Sequence, residues 1–185
     1  SQGSPFHLTG DSGTVYSARS VIIATGAQAR WLGLPNETRL QGAGVSACAT
    51  CDGFFYRGKN VVVVGGGNTA VEEALYLTHH AAHVTLVHRR DTLRAEKILQ
   101  DRLFSNPKVS VVWNSEIEDI LSDGTPAVVT GVLLRDTTDN SQRTLPTDGV
   151  FIAIGHAPTT AVFQGQIALD AEGYITTTPG GTQTS

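Results

Sequence analysis

A chain of 185 residues is long enough for one ordinary domain, or for one domain with parts of another, and it can bury a sizeable core. Its 17 acidic residues outnumber 13 basic ones, and the resulting net charge of −4 excludes a general nucleic-acid or anionic-membrane binder, because the field repels both. No apolar run approaches the roughly 20 residues a membrane-spanning helix needs, and the start Ser1-Gln2-Gly3-Ser4-Pro5 does not resemble a signal peptide, so the chain reads as soluble.

Residues 1–30 read as β-structure: Phe6 to Thr9, a turn over Gly10 to Gly13, Thr14 to Tyr16, and a buried-type run Val21-Ile22-Ile23-Ala24 that stops at Thr25-Gly26. Residues 31–47, with Gly33, Pro35, Gly42 and Gly44, have weak periodicity and read as a linker. From Lys59 the pattern alternates as a parallel sheet requires. A β-branched strand Val61 to Val64 leads to a helix from about Asn68 to His79, whose apolar stripe is Ala70, Val71, Ala74, Leu75 and Leu77. A strand Val84 to Val87 follows, then a helix from about Thr92 to Phe104 with Asp91 as its N-cap, and a third strand through Val109, Val111 and Trp113. Residues 116–145 change to three short strands between turns rich in Asp, Gly and Asn, which suits an antiparallel meander. A last strand, Gly149 to Ile154, ends at Gly155-His156, and residues 157–185 hold few core candidates beyond Ile175. The fold class expected is α/β: a Rossmann-like, three-layer nucleotide-binding domain with a parallel sheet and an antiparallel meander, flanked by β-rich pieces.

Gly65-Gly66-Gly67-Asn68-Thr69-Ala70 matches G-x-G-x-x-G/A directly after a strand and at the opening of a helix. In that context Gly65 permits the tight turn, Gly67 lets the backbone approach a pyrophosphate, and Ala70 lets helix pack close on strand. The helix N-terminus, through Asn68 and Thr69, offers N–H groups and a positive dipole to the phosphates. A NAD-binding unit places an acid about 24 residues after the first glycine to hold the ribose hydroxyls. Here that place holds His88-Arg89-Arg90, with Arg94 shortly after. Guanidinium groups match a phosphate bidentately, which predicts NADPH in preference to NADH.

Cys48 and Cys51 are the only cysteines. Their spacing brings two sulfurs to disulfide distance, and a thiolate of lowered pKa makes one of them a nucleophile. Asp52 beside them is placed to give or take a proton. A zinc site would need two further ligands, for which His79 and His83 have suitable spacing, but both fall at a helix end, where solvated histidines are ordinary. Paired cysteines at this spacing belong in a reducing compartment, which points to the cytoplasm.

The run Ala47-Cys48-Ala49-Thr50-Cys51-Asp52-Gly53-Phe54-Phe55-Tyr56, joined to Gly65 through Ala74 and to His88-Arg89-Arg90, resembles the bacterial thioredoxin reductases of low molecular weight. The resemblance covers nearly the whole chain. It implies two Rossmann-like domains, with the NADPH domain inserted into the FAD domain: residues 31–157 as the NADPH domain carrying the cysteines, and 1–30 with 158–185 as parts of the FAD domain. By the same resemblance Cys51 faces the flavin, Cys48 attacks the disulfide of thioredoxin, and Asp52 handles the proton. Arg89, Arg90 and Arg94 hold the 2′-phosphate, Ile154 and Gly155 border the NADPH site, and Thr25 with Gly26 belongs to the FAD side. Family members are homodimers, and their domains rotate about crossings that here fall near residues 31 and 157. The family's own glycine motif for FAD and its C-terminal flavin segment have no counterpart in the chain, and there is no methionine even at position 1. The chain is therefore expected to be an internal piece that binds NADPH but does not hold FAD or turn over by itself. A flavoprotein that feeds alkyl hydroperoxide peroxidases from NADH shares the cysteine and glycine motifs, but the basic cluster at 88–90 argues against it. A nucleotide-binding module whose cysteines only pack or bind metal is the other alternative.

Overall fold

The alternation of β-branched runs and helical stripes is followed closely in the computed structural model, which describes residues 5–185. Ser1 to Ser4, and the expectations placed on them, lie outside the described residues. The chain forms two compact units, one of them Gln28–Ala157 and the other made of the chain on either side of it.

In the flanking unit, β1 (Phe6–Thr9) and β2 (Val15–Ala18) form an antiparallel hairpin with Phe6 opposite Ala18. The Gly10 N–H donates to the Thr14 carbonyl (2.9 Å) and closes its turn. The expected strand Val21 to Ala24 does not form, and Ile22 is 90% exposed. A continuous apolar run becomes a strand only where neighbours complete its hydrogen bonds and layers cover both faces. No described residue pairs with this one. Beyond Pro158 the chain is irregular, with a 3-10 turn at Ala161–Phe163 and two isolated bridges, Gln164 with Ile167 and Leu169 with Ile175. Two short strands, β3 (Ala27–Ala29) and β12 (His156–Pro158), pair with each other where the chain passes between units.

The central unit is built on five parallel strands: β4 (Val45–Ser46), β5 (Asn60–Val64), β6 (His83–Val87), β7 (Val109–Val112) and β11 (Gly149–Ile152). Their spatial order is β4-β11-β5-β6-β7, so the sheet grows one way from β5 through β6 to β7 and the other way through β11. This reversal at β5 and β11 is a topological switch point, and it opens a crevice beyond the carboxyl ends of those two strands. Side chains alternate across the sheet with a period of two. Val61 and Val63 of β5, and Phe151 of β11, pack with Ala70, Val71, Ala74 and Leu77 of α3 (Asn68–Leu77) and Leu103 of α4 (Lys97–Phe104). Val62, Val64, Val150 and Ile152 face the other way. They meet Ile117 and Ile120 of β8 (Ser115–Asp123) and Val132 and Leu134 of β9 (Val128–Asp136). With β10 (Gln142–Pro146), these strands make the three-stranded antiparallel meander, in the order β10-β9-β8. Helices, parallel sheet and meander are the three layers.

The expected linker over residues 31–47 is instead structured. The short helix α1 (Pro35–Arg39) carries Glu37, which is buried and accepts the Leu32 and Gly33 N–H groups at 2.8 Å each. β4 then pairs in parallel with β11 as the outermost strand. Two residues of strand and five of helix are too short to leave a period in the sequence.

The helix expected from Thr92 begins only at Lys97, and Asp91 does not cap it. Residues 92–96 lie across the glycine turn instead. The Arg94 N–H donates to the Gly66 carbonyl (2.7 Å), and the Glu96 N–H donates to Asn68 Oδ1 (2.8 Å). Leu93 and Ala95 are buried beneath. These long-range bonds take the place of a first helical turn.

Candidate active site

β5 delivers the chain into Gly65 with φ of 149°, a conformation that L side chains avoid. A Cβ there would lie 2.3 Å from the Ala153 carbonyl oxygen and 2.7 Å from Ala70 Cβ, so strand end, turn and helix are in mutual contact. Ala70 has no exposed surface, as the close packing of helix on strand demands. No side chain caps α3, whose N-cap is Gly67, and its first-turn N–H groups are therefore free to meet a ligand. A Cβ on Gly67 would meet no protein atom within 4 Å.

A cleft of about 500 Å³ opens at this point. Gly65, Gly66, Gly67 and Thr69 form its floor, His88, Arg89 and Arg94 one wall, and Ile154 with Gly155 another. Arg30, Leu32, Leu34 and Ser115 to Ile117 complete it, and sequence reasoning did not single these out. Their place depends on the path of residues 30–34 and on the start of the meander, neither of which leaves a motif. Asn68 and Arg90 do not line the cleft. Asn68 is turned to the Glu96 backbone, and Arg90 is exposed, with its carbonyl accepting the Asn114 N–H (3.3 Å).

His88 is 7% exposed and lies against Gly66, where a Cβ would come within 2.2 Å of the imidazole. Burial lowers its pKa, a backbone hydrogen bond involving Thr92 opposes the shift, and the charges of Arg90, Arg89 and Arg94 lower it further. These effects together favour the neutral ring. Its Nε2 is enclosed without a partner.

The cysteines stand elsewhere on the same edge of the sheet. β4 leads into α2 (Ala49–Asp52), for which Cys48 is the N-cap, and the Cys51 N–H donates to Cys48 Sγ at 3.2 Å. Cys48 and Cys51 are joined as a disulfide, with their Cα atoms 5.3 Å apart. Cys51 is exposed and Cys48 half-buried. Asp52 is held by Ser46, whose hydroxyl donates to Asp52 Oδ2 (2.6 Å) and accepts the Cys48 N–H (3.0 Å). Ser46 is 7% exposed and carries no motif that would announce it. Tyr56, packed on Phe151 at a ring separation of 5.2 Å, has its pKa raised by burial and then by the charge of Asp52. Two large rings lie exposed beside the pair, Phe54 at 60% and Phe55 at 71%.

Among the described residues no group of three or more His, Cys, Asp or Glu side chains could hold a metal ion. His79 Nδ1 is bonded to the Tyr76 carbonyl and His83 Nε2 to Ser110, which occupies the two histidines with suitable spacing. Thr25 and Gly26 lie in the flanking unit, exposed, with the Gly26 carbonyl accepting the Thr159 N–H (2.9 Å).

Fold and site together describe a Rossmann-like unit that carries a cysteine pair beside a dinucleotide-type cleft. The family model for pyridine nucleotide-disulphide oxidoreductases matches residues 2–185, and the chain belongs to that family. It is 55% identical over 181 residues to the thioredoxin reductase of Rickettsia conorii, a match covering 98% of this chain and 58% of the relative. It is 58% identical over 174 residues to that of Coxiella burnetii, covering 92% and 53%. Among solved structures, thioredoxin reductase from Giardia duodenalis superposes with a TM-score of 0.84 at 38% identity, over 100% of this chain and 60% of the other. That from Streptococcus pyogenes gives 0.78 at 46% identity, over 93% and 55%. The expected resemblance to thioredoxin reductases is thus upheld. The chain spans a little over half the length of the curated relatives it matches.

Among the described residues no helix is long and apolar enough to cross a membrane.

Proposed function

We propose that the protein carrying this chain is a thioredoxin reductase, which takes an electron pair from NADPH and delivers it through the Cys48–Cys51 disulfide to the disulfide of thioredoxin. The observation that carries the reading is the cysteine pair at the head of α2, with Cys48 Sγ accepting the Cys51 N–H and Asp52 tied to Ser46. In this reading Gln28–Ala157 is the NADPH domain, and the chain on either side of it belongs to an FAD domain. The flanking residues Thr25 and Gly26 lie toward the flavin. The family supplies nicotinamide nucleotide and flavin generally, and when bound they bring hydride and carry its electrons onward.

The residues of the cleft fit such a nucleotide. The open space over Gly67 and the uncapped N-terminus of α3 suit a pyrophosphate. Arg89 and Arg94 bring two guanidinium groups to one wall, which suits a 2′-phosphate, with Arg90 adding charge from outside the lining. His88, Ile154 and Gly155 shape the remaining walls, while Asn68 and Ala70 fix the turn and its helix. At the cysteines, Cys48 is the attacking sulfur, because the α2 N-terminus stabilises a thiolate on its N-cap residue. Cys51 re-forms the disulfide with it, and Asp52 gives or takes the proton at the carboxylate oxygen that Ser46 holds. The exposed rings of Phe54 and Phe55 give a protein substrate apolar surface beside these sulfurs. The reading places the protein in the cytoplasm, as a homodimer, with no nucleic-acid or membrane partner.

Steady-state reduction of thioredoxin by the intact protein tests it, with NADPH and NADH compared. The expected result is turnover with NADPH and at least about tenfold weaker use of NADH, since a charge-assisted phosphate contact contributes about 1.5–3 kcal/mol. Equal use of the two nucleotides would undo the argument from Arg89 and Arg94. Turnover that survives loss of both cysteines would undo the argument from the disulfide.

A further inference from the structure

Glu37 is the one buried acid among the described residues, at 1% exposed, and the scheme above makes no use of it. It stands at the third position of α1, from which a glutamate ordinarily reaches back to the N–H of the N-cap. Here the N-cap is Leu34, and the carboxyl passes it over. Oε1 accepts the Leu32 N–H and Oε2 the Gly33 N–H, both at 2.8 Å. Gly33 has φ of 83°, a left-handed turn that strains an L side chain, and at this turn two successive N–H groups converge on one carboxyl. No cation pairs with Glu37 among the described residues. α1 is itself fixed to the meander: Asn36 Nδ2 donates to Asp119 Oδ1 (2.9 Å) and Arg39 to the Ser122 hydroxyl (2.8 Å).

The segment that Glu37 holds is a wall of the cleft. Leu32 and Leu34 line it, and so does Arg30, whose N–H donates to the Gly155 carbonyl (2.9 Å). Residues 30–34 are thus tied at one end to the chain leaving β11 and at the other to α1. Strand order sets the side on which they stand. β11 and β6 flank β5, so Arg30 lies on the β11 side of Gly65, and Arg89, which follows β6, lies on the other. Two strand spacings, about 10 Å, separate those strands. The Arg30 side chain is exposed and forms no ion pair among the described residues. Glu116, the one acid lining the cleft, is paired with Arg135 of β9 (2.9 Å).

We propose that Arg30 is a further specificity-determining residue of the cleft, which binds the phosphate of the nicotinamide half of the dinucleotide, and that Glu37 is a positioning residue which holds residues 30–34 so that Arg30 meets it. The proposal rests on the nucleotide reading given above. A dinucleotide that crosses Gly67 from the β6 side to the β11 side offers its 2′-phosphate to Arg89 and Arg94, and the far phosphate of its pyrophosphate to Arg30. A guanidinium takes a phosphate through two parallel N–H bonds, a geometry that requires a fixed backbone beneath it. Glu37 supplies that fixity without touching the ligand.

The test is equilibrium binding of two probes to the intact protein: NADP⁺, and adenosine 2′,5′-bisphosphate, which keeps the 2′-phosphate but lacks the nicotinamide half. Arg30→Ala should weaken NADP⁺ about tenfold and leave the bisphosphate within about twofold, whereas Arg89→Ala should weaken both. Glu37→Gln turns one acceptor into a donor that faces a backbone N–H. It should repeat the R30A pattern, and R30A should add little in the E37Q background. Equal loss of both probes in R30A, or unchanged NADP⁺ binding in either variant, would overturn the proposal. A measurement on wild type covers the case in which E37Q does not fold: amide exchange at Leu32 and Gly33 should be slowed by NADP⁺ and not by the bisphosphate. Equal protection by the two probes, or none by either, would overturn it as well. If wild type binds neither probe, the nucleotide reading falls and the proposal with it. If it binds both and R30A binds NADP⁺ as tightly as wild type does, only the role of residues 30–34 falls.

Discussion

Gly66 is the middle residue of the glycine turn and lies outside the three positions that the nucleotide motif explains, so its identity must have a local cause. Its φ is not in the left-handed region, and backbone conformation therefore does not require glycine. The cause is His88: a Cβ on Gly66 would stand 2.2 Å from Cε1, 2.4 Å from Nδ1 and 2.7 Å from Nε2. The ring cannot easily give way, because it is 7% exposed and stands edge-on to Trp113 at a centroid distance of 6.4 Å. Overpacking of this kind costs about 1–3 kcal/mol. Replacing glycine by alanine in a tolerated conformation returns about 0.4–1 kcal/mol through the unfolded chain. G66A should therefore lose about 1–2 kcal/mol, a fall in Tm of about 2–8 °C for a chain of this size. Thermal unfolding of G66A, H88A and the double variant measures the coupling directly. In the H88A background the added methyl should cost nothing or stabilise slightly. An equal loss in both backgrounds would refute the steric argument and leave the glycine to be explained by the backbone alone.

The other predictions concern the cysteine side and its surroundings. Ser46→Ala removes the hydrogen bond to Asp52 Oδ2 and should lower kcat for thioredoxin about tenfold with little change in KM, and shift the pH profile of kcat; an unchanged profile would deny Ser46 a part in holding the proton carrier. Phe55→Ala removes a ring 71% exposed beside the disulfide and should raise KM for thioredoxin several-fold, while reduction of a small disulfide stays unchanged. For Glu73, the carboxyl binds its proton more tightly folded than unfolded, so stability is greatest below the unfolded value of about 4.5 and declines as pH rises to about 7. The full difference corresponds to about 3 kcal/mol, and partial exposure reduces it to about 1 kcal/mol. Denaturation of E73Q should therefore show about 1 kcal/mol more stability than wild type at pH 8 and no advantage at pH 4.5. A constant difference across that range would contradict it.

The central sheet was legible because each buried strand states its own pattern. Val61 to Val64 admits no reading other than a strand covered on both faces, and the alternation of Val61 and Val63 with Val62 and Val64 assigns one residue pair to the helices and the other to the meander. The glycine motif likewise lies in one continuous segment. What escaped was set by distant partners. β4 is only two residues long and exists because β11 offers it an edge. Residues 92–96 have helical composition, yet the Gly66 carbonyl and Asn68 side chain bind their N–H groups and hold them straight. Val21 to Ala24 was legible as apolar but needs neighbouring strands that no described residue provides. Ser46 escaped for a further reason: serine is common at such positions, and only the folded chain reveals what its side chain touches.

The two chemical regions lie on one edge of the sheet, and α3 joins them. α2 leaves the carboxyl end of β4, the glycine turn leaves the carboxyl end of β5, and β11 runs between those strands. The N-terminus of α3 faces the cleft, and α2 packs against the same helix. A ten-residue helix whose inner face is fully buried moves as a unit, so whatever fixes its first turn also fixes the surface on which α2 packs. A nucleotide bound at the α3 N-terminus would therefore constrain α2 through packing alone. Alkylation of the reduced cysteines supplies the check: saturating NADP⁺ should change the rate in the intact protein, and an unchanged rate would refute coupling through α3.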